Sequence, residues 1–124
     1  MFAWGVAAVP LVEVRKMFSG PERGHFYPLF TRREMACCGG SSAVRSLERL
    51  AGRLAAKRAV LRALGLPADN PALWSTVEIL PGPAGQPRVY LCKGTGRAIS
   101  GEGLTVRVSI SHGERLAVAI AVVA

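Results

Sequence analysis

The sequence lacks the features of a membrane protein, a zinc protein and a disulfide-stabilised protein. Its longest uncharged apolar runs, residues 1–12 and 116–124, are shorter than the ~20 residues of a membrane-spanning helix. Its two histidines, His25 and His112, are too few and too isolated for a zinc site. The three cysteines form no Cys-x-x-Cys pair, which is typical of free thiols in a reducing compartment. No basic segment precedes the apolar N-terminal stretch, so we expect a cytoplasmic protein without a secretory signal or membrane contact.

Aromatic residues are also scarce, and basic residues outnumber acidic ones. Phe, Trp and Tyr make up 6% of the chain and do not alternate with basic residues, as a base-stacking surface would require. Sixteen Lys and Arg oppose eight Asp and Glu, which gives a formal net charge of +8. This excess of positive charge indicates an anionic partner. We therefore expect a phosphorylated ligand or an acidic protein, and not nucleic acid.

The chain has enough apolar residues for one folded domain, which we place at 1–124. Its 124 residues are 50% hydrophobic, which excludes a disordered chain. An apolar strand that ends between Pro10 and Val14 is followed by helices and then by four strands, at 74–80, 88–92, 106–110 and 116–123. This order predicts an α+β fold in which an antiparallel sheet packs on one long helix.

Capping and turn residues mark the predicted helices. Residues 31–34 (Thr-Arg-Arg-Glu) have the form of a capping box, which predicts a short helix to Cys38. Ser42 and Gly65 would begin and end the long helix. Its buried stripe would consist of leucines at helical spacing, namely Leu47, Leu50, Leu54, Leu61 and Leu64. Residues 93–103 contain four glycines and are predicted to form a loop or a poor helix.

Basic residues recur along the long helix. Arg45, Arg49, Arg53 and Lys57 lie four positions apart, which places them on one slowly drifting face. Like charges at this spacing destabilise an isolated helix by a few tenths of a kcal/mol per pair. Two interpretations are open. The residues form either a solvated basic face or a surface that contacts phosphates or an acidic helix.

Five segments of the sequence carry a family resemblance. They are 51–65 (AGRLAAK and AVLRALG around Arg58), Gly5–Val14 with its Val-Glu-Val end, Phe30–Met35, Gly85–Pro87, and Ser109–His112 followed by Leu116–Ala119. In order and spacing these segments resemble the holo-acyl-carrier-protein synthases, the small AcpS-type phosphopantetheinyl transferases. The resemblance covers nearly the whole chain, and 51–65 is similar to the central helix of that family.

The resemblance implies an AcpS-like fold and a homotrimer with active sites between subunits. Members of the family transfer phosphopantetheine from coenzyme A to a serine of an apo acyl carrier protein, and they use magnesium held by an Asp and a Glu. The residues that match the family's carrier-protein contacts are Arg15 and Lys16. The residues that match positions near the coenzyme A phosphates are Arg53, Lys57, Arg62 and His112.

Two positions depart from the pattern of the family. Pro10 stands where the metal-binding Asp is expected, and Arg58 stands where the metal-binding Glu is expected. Magnesium prefers carboxylate oxygens, and a guanidinium adds positive charge in their place. We therefore predict a divergent member with no metal site and without normal magnesium-dependent transfer.

Three functions are open for such a member. It would bind a carrier protein, or an active paralogue, without chemistry of its own. Alternatively, Arg58 together with Lys57 would replace magnesium at the diphosphate, with Glu13 as the nearest base. A repurposed enzyme would instead act on the acyl chain of a carrier protein in fatty-acid or polyketide biosynthesis. Its acid, base or nucleophile would come from Glu13, Glu34, His112 or Cys37.

Overall fold

Four α-helices, one 3₁₀ helix and five strands make up the part of the chain that the structure describes. The computed structural model describes residues 3–21, 23–26, 29–38, 43–92 and 105–124. The elements in chain order are β1 (Ala3–Pro10), α1 (Leu11–Ser19), α2 (Arg23–Phe26), α3 (Arg32–Cys38), α4 (Ala43–Ala63), the 3₁₀ helix (Pro71–Thr76), β2 (Val77–Pro81), β3 (Pro87–Leu91), β4 (Val106–His112) and β5 (Leu116–Val123). This is the predicted α+β order of one strand, helices and four strands.

Within the described residues the strands pair in two antiparallel sheets, whereas the sequence predicted a single antiparallel sheet. The larger sheet has the order β1-β5-β4, so the strand nearest the C-terminus is central. Along β1 and β5 the pairing runs from Ala3 opposite Val123 to Pro10 opposite Leu116. Strands β2 and β3 form the second sheet, a hairpin closed by the predicted turn. The predicted loop at 93–103 lies outside the described residues.

Helix α4 packs against the three-stranded sheet and provides the largest share of the core. Its fully buried residues include two members of the predicted leucine stripe together with neighbouring alanines and a valine. They are Ala51, Leu54, Ala55, Ala56, Ala59, Val60 and Leu61. Gly5 allows β1 to lie directly on this helix, because a Cβ there would collide with the backbone of Ala59 and Ala63. None of the described helices is long and apolar enough to cross a membrane.

Local hydrogen bonds confirm two of the predicted helix ends. The Glu34 amide donates to the Thr31 hydroxyl oxygen at 3.1 Å, and the Thr31 amide donates to Glu34 Oε1 at 2.8 Å, which completes the capping box of α3. Gly65 follows α4 with φ of +73°, a left-handed conformation that costs glycine little. The predicted first cap of the long helix, Ser42, lies outside the described residues.

The first strand ends at Pro10, within the predicted range, whereas the start predicted for the second strand was wrong. Helix α1 begins at Leu11, directly after β1, because Leu11, Val14 and Met17 bury one face at three-residue spacing. Residues 74–76, predicted as the start of a strand, belong to the 3₁₀ helix. The Asn70 side chain accepts a hydrogen bond from the Ala72 amide at this helix start, and a proline lies in the first turn.

Candidate functional site

Lys57 lies inside the core, and its ammonium group is fully hydrogen-bonded. Its side chain is 0% exposed. Nζ donates to Glu34 Oε1 at 2.8 Å, to the Trp74 carbonyl at 2.7 Å and to the Val77 carbonyl at 2.5 Å. Burial lowers the pKa of Lys57, and the Glu34 carboxylate opposes that change. An ammonium has three N–H groups, so none remains for a phosphate, and this arrangement does not agree with the expected contact between Lys57 and the ligand.

Glu34 connects three elements around this lysine. In addition to capping α3 and pairing with Lys57, it accepts a hydrogen bond from the Ile79 amide of β2 at Oε2, at 2.9 Å. The capping box predicted the first contact. The other two join residues 23 and 45 positions apart, and no local pattern marks such separations. Because Glu34 is fully buried and bonded at both oxygens, it is not placed to act on a substrate.

Arg58 and Glu13 form an ion pair between α4 and α1. Arg58 Nη2 donates to Glu13 Oε1 at 2.6 Å, and the two side chains are 12% and 35% exposed. The guanidinium carbon of Arg58 also lies 4.9 Å from the centre of the Trp74 ring, within the range of a cation–π contact. The Arg58 Nε is buried and has no hydrogen-bond acceptor among the described residues. The side chain is therefore held on two sides and keeps one unused donor.

Arg49, Arg53 and His112 line a pocket of about 180 Å³, which we call the basic pocket. It lies between α4, the β2–β3 hairpin and the end of β4, with Gly52 and Pro87 in its wall. A second unused donor, the buried Nε of Arg53, belongs to this group. The His112 Nδ1 is 3.9 Å from the Glu48 carboxylate. The basic pocket joins two of the predicted ligand residues, Arg53 and His112, and its lining also includes Arg49, which the family resemblance did not indicate.

Arg62 lies on a different side of α4 from the basic pocket. Its Nη1 donates to the Val6 carbonyl of β1 at 2.7 Å, and its side chain is 44% exposed. Arg58 is one helical turn before Arg62, whereas it is about 140° around the helix from Arg53. Arg58 and Arg62 therefore share one face, and the basic pocket occupies another. Since Lys57 is buried, the predicted basic stripe is neither a solvated face nor one continuous phosphate surface.

Arg15 and Lys16 are exposed on α1, as the family resemblance implies for a docking surface. Lys16 also borders a hollow of about 300 Å³ whose wall includes Glu13, Met17 and Phe26. Exposed positive charge therefore lies beside an apolar depression.

Carboxylate, thiol and imidazole groups do not gather into a metal site in the described chain. No three His, Cys, Asp or Glu side chains of the described residues lie close enough together to hold an ion. Pro10, at the end of β1, offers no side-chain oxygen, and the nearby carboxylate of Glu13 is already bonded to Arg58. The residues at the two expected ligand positions therefore do not suit magnesium.

Comparison with known proteins gives relatives along most of the chain. No family model matches the sequence. A holo-acyl-carrier-protein synthase of Desulforudis audaxviator is 39% identical over 118 residues, which cover 92% of this chain and 88% of that protein. A protein of the same name from Chlorobium luteolum is 33% identical over 113 residues and 91% of each chain.

Solved structures agree in fold. The Chronobacterium ammoniagenes ACPS–CoA complex matches with a TM-score of 0.87 and 25% identity, over 100% of this chain and 97% of that one. A Bacillus anthracis holo-acyl-carrier-protein synthase in complex with CoA (3′,5′-ADP) matches with a TM-score of 0.78 and 25% identity, over 98% and 94%. On these similarities in sequence and fold, the chain belongs to the holo-acyl-carrier-protein synthase family.

Proposed function

We propose that this protein binds coenzyme A and an acyl carrier protein and has lost normal magnesium-dependent phosphopantetheine transfer. The observation that carries the proposal is the basic pocket. Arg49, Arg53 and His112 converge there in a chain whose structural relatives were solved with coenzyme A. The guanidinium group pairs well with phosphate, because its planar N–H groups match phosphate oxygens.

The ligand would contact two copies of the chain. The basic pocket and the Arg58–Arg62 face point to different sides of α4, so one copy does not bring them together. One surface is suited to contact between copies of the chain. We call it the outer sheet face, and it consists of exposed apolar residues on β1 and β5. Its members are Trp4 (66% exposed), Val6 (40%), Ile120 (49%) and Val122 (38%). Exposed apolar surface of this kind marks interaction sites, and we propose that it assembles a homotrimer.

The carrier protein would dock on α1. Arg15 and Lys16 supply positive charge for an acidic partner, and the hollow beside Lys16 would receive an apolar side chain. We propose that residues 1–124 act as a single domain in the cytoplasm. The free thiols of Cys37, Cys38 and Cys92 suit that compartment.

Loss of magnesium-dependent transfer rests on the ligand set. A divalent cation near β1 would meet Pro10, which has no side-chain oxygen, and the positive charge of Arg58. The alternative of a repurposed enzyme stays a prediction. It has fewer candidate catalytic residues, because both carboxylate oxygens of Glu34 are engaged in structural hydrogen bonds. Glu13, His112 and Cys37 remain, and no described contact selects among them.

One experiment tests the proposal directly. An apo carrier protein is incubated with this protein and coenzyme A, once with magnesium and once with EDTA, and its intact mass is measured. The Desulforudis audaxviator relative serves as the positive control. Titration calorimetry with coenzyme A runs in parallel. We expect coenzyme A to bind in both buffers, Arg53→Gln to weaken binding about tenfold or more, and magnesium to produce no mass gain.

Two results would overturn the proposal. If no coenzyme A binding is measurable, the proposal that this protein binds coenzyme A is wrong. A mass gain of one phosphopantetheine that requires magnesium would show that a metal site forms despite Pro10 and Arg58.

A further inference from the structure

We propose that Arg58 is a fixed cation that binds the diphosphate of coenzyme A without any metal ion, and that Glu13 competes with this anion. The inference rests on the proposed function, since it assigns one part of the same ligand. It arises from the mismatch between this chain and a magnesium site, together with the contacts of Arg58.

The position of the guanidinium is set before any ligand arrives. Glu13 holds one edge at 2.6 Å, and the ring of Trp74 lies under one face at 4.9 Å. With only 12% of the side chain exposed, Arg58 has little conformational freedom left to lose on binding. Ordering a long side chain on binding has a cost in conformational entropy, and here that cost is met in the folded protein. A preorganised positive charge of this kind stabilises an oxyanion without reorganisation.

Arg58 retains hydrogen-bonding capacity for an anion. A guanidinium carries five N–H groups, and the described contacts use Nη2 while leaving the buried Nε without an acceptor. The terminal N–H groups that Glu13 does not occupy are the donors that a phosphate oxygen would contact, and hydrogen bonds between charged groups are stronger than neutral ones. Arg62, one turn further along α4, lies on the same face, and its Nη2 is 3.8 Å from the exposed carboxylate of Asp69. An exposed ion pair at this distance is weak, so Arg62 still adds positive charge there.

Glu13 has the opposite effect on an anion. Its carboxylate neutralises Arg58 and, at 35% exposure, faces the same approach. A diphosphate that contacts Arg58 must therefore come close to a negative charge. The two partners of one ion pair should then change affinity in opposite directions, which a purely structural salt bridge would not do.

The test compares two ligands on the full chain. Coenzyme A carries the diphosphate joined to pantetheine, whereas 3′,5′-ADP keeps the nucleotide phosphates alone. Both are titrated by calorimetry in EDTA and again in magnesium. The variants are Arg58→Gln, Glu13→Gln and Arg53→Gln. Arg32→Gln, an exposed arginine on α3, is the control for loss of one positive charge.

We expect Arg58→Gln to weaken coenzyme A binding about tenfold to a hundredfold and 3′,5′-ADP binding about threefold or less. Glu13→Gln keeps an oxygen for Arg58 but removes the charge, and it should tighten coenzyme A binding about threefold to tenfold. Arg53→Gln should weaken the binding of both ligands, and Arg32→Gln should weaken the binding of neither. All affinities should be the same in EDTA as in magnesium. Retained 3′,5′-ADP binding shows that Arg58→Gln is folded.

Each contrary result has one meaning. If coenzyme A binds the unchanged protein but Arg58→Gln binds equally well, the role of Arg58 is refuted and the proposed function stands. The same holds if Glu13→Gln and Arg58→Gln weaken binding equally. If coenzyme A binds only in magnesium, a metal site forms, and both the role of Arg58 and the proposed function fail. If coenzyme A fails to bind the unchanged protein, the proposed function itself fails.

Discussion

At the scale of single residues, Lys57 occupies a position that the family resemblance assigns to ligand binding, but its side chain is buried in the core and pairs with Glu34. Its three N–H groups and the two oxygens of Glu34 join α4, α3 and β2. The family resemblance implied a phosphate contact for Lys57, whereas the spacing of the basic residues left a solvated face equally open. Only the three-dimensional contacts show that the charge is paired internally.

Removing this lysine should destabilise the protein strongly. Lys57→Met leaves the Glu34 carboxylate buried and unpaired, and we expect a loss of about 3–5 kcal/mol in the free energy of unfolding. Urea denaturation monitored by circular dichroism measures it. Replacement of both Lys57 and Glu34 by methionine should recover part of the loss, and Lys16→Met, on the surface, is the matched control. A single variant within 1 kcal/mol of the unchanged protein would contradict the structural role.

Cys38 should be the least reactive of the cysteines. Burial raises its pKa from 9.0 to about 11, whereas Cys92 is exposed. Iodoacetamide at pH 8 should therefore modify Cys92 first and Cys38 last, which peptide mass spectrometry resolves. Between pH 9 and 11 the unfolded chain loses this proton before the folded chain does, so stability should fall as pH rises through that range. Cys38→Ala should reduce that fall, and early alkylation of Cys38 would show that the thiol is accessible.

At the scale of elements, β1 and α4 touch through their backbones. Gly5→Ala would force the two apart, because a Cβ at Gly5 meets the backbone of Ala59 and Ala63. We expect a loss of about 1–3 kcal/mol, the usual cost of overpacking. Gly113→Ala is the control, since a Cβ there meets nothing within 4 Å. Thermal unfolding of the two variants makes the comparison, and equal melting temperatures would contradict the close contact.

The elements also show what the sequence was able to predict. Helix α3 and the end of α4 follow local rules, a capping box and a glycine, and both were predicted from a few neighbouring residues. The 3₁₀ helix was missed because its residues are apolar, like a strand, and its start depends on the Asn70 side chain. In the site, the Arg58–Glu13 contact was missed because its residues are 45 positions apart.

At the scale of the whole molecule, the outer sheet face should control assembly. Ile120→Asp places a charge in the middle of this face, opposite Val6. We expect the protein to sediment at three times the 13.1 kDa of one chain and the variant to sediment as a smaller species. Tyr90→Asp, an exposed aromatic on the other sheet, is the control. Equal masses for the protein and the Ile120 variant would place the subunit contact elsewhere.

The pairing of the first described strand with the last affects how the protein is made. Leu116 follows its partner Pro10 by 106 positions, so β1 leaves the ribosome long before β5. At about 5–20 residues per second, the wait is roughly 5–20 seconds. During that time β1 is an apolar strand with two open edges, which are prone to pairing with other chains. A nascent chain of this protein therefore exposes β1 to such pairing until β5 has been synthesised.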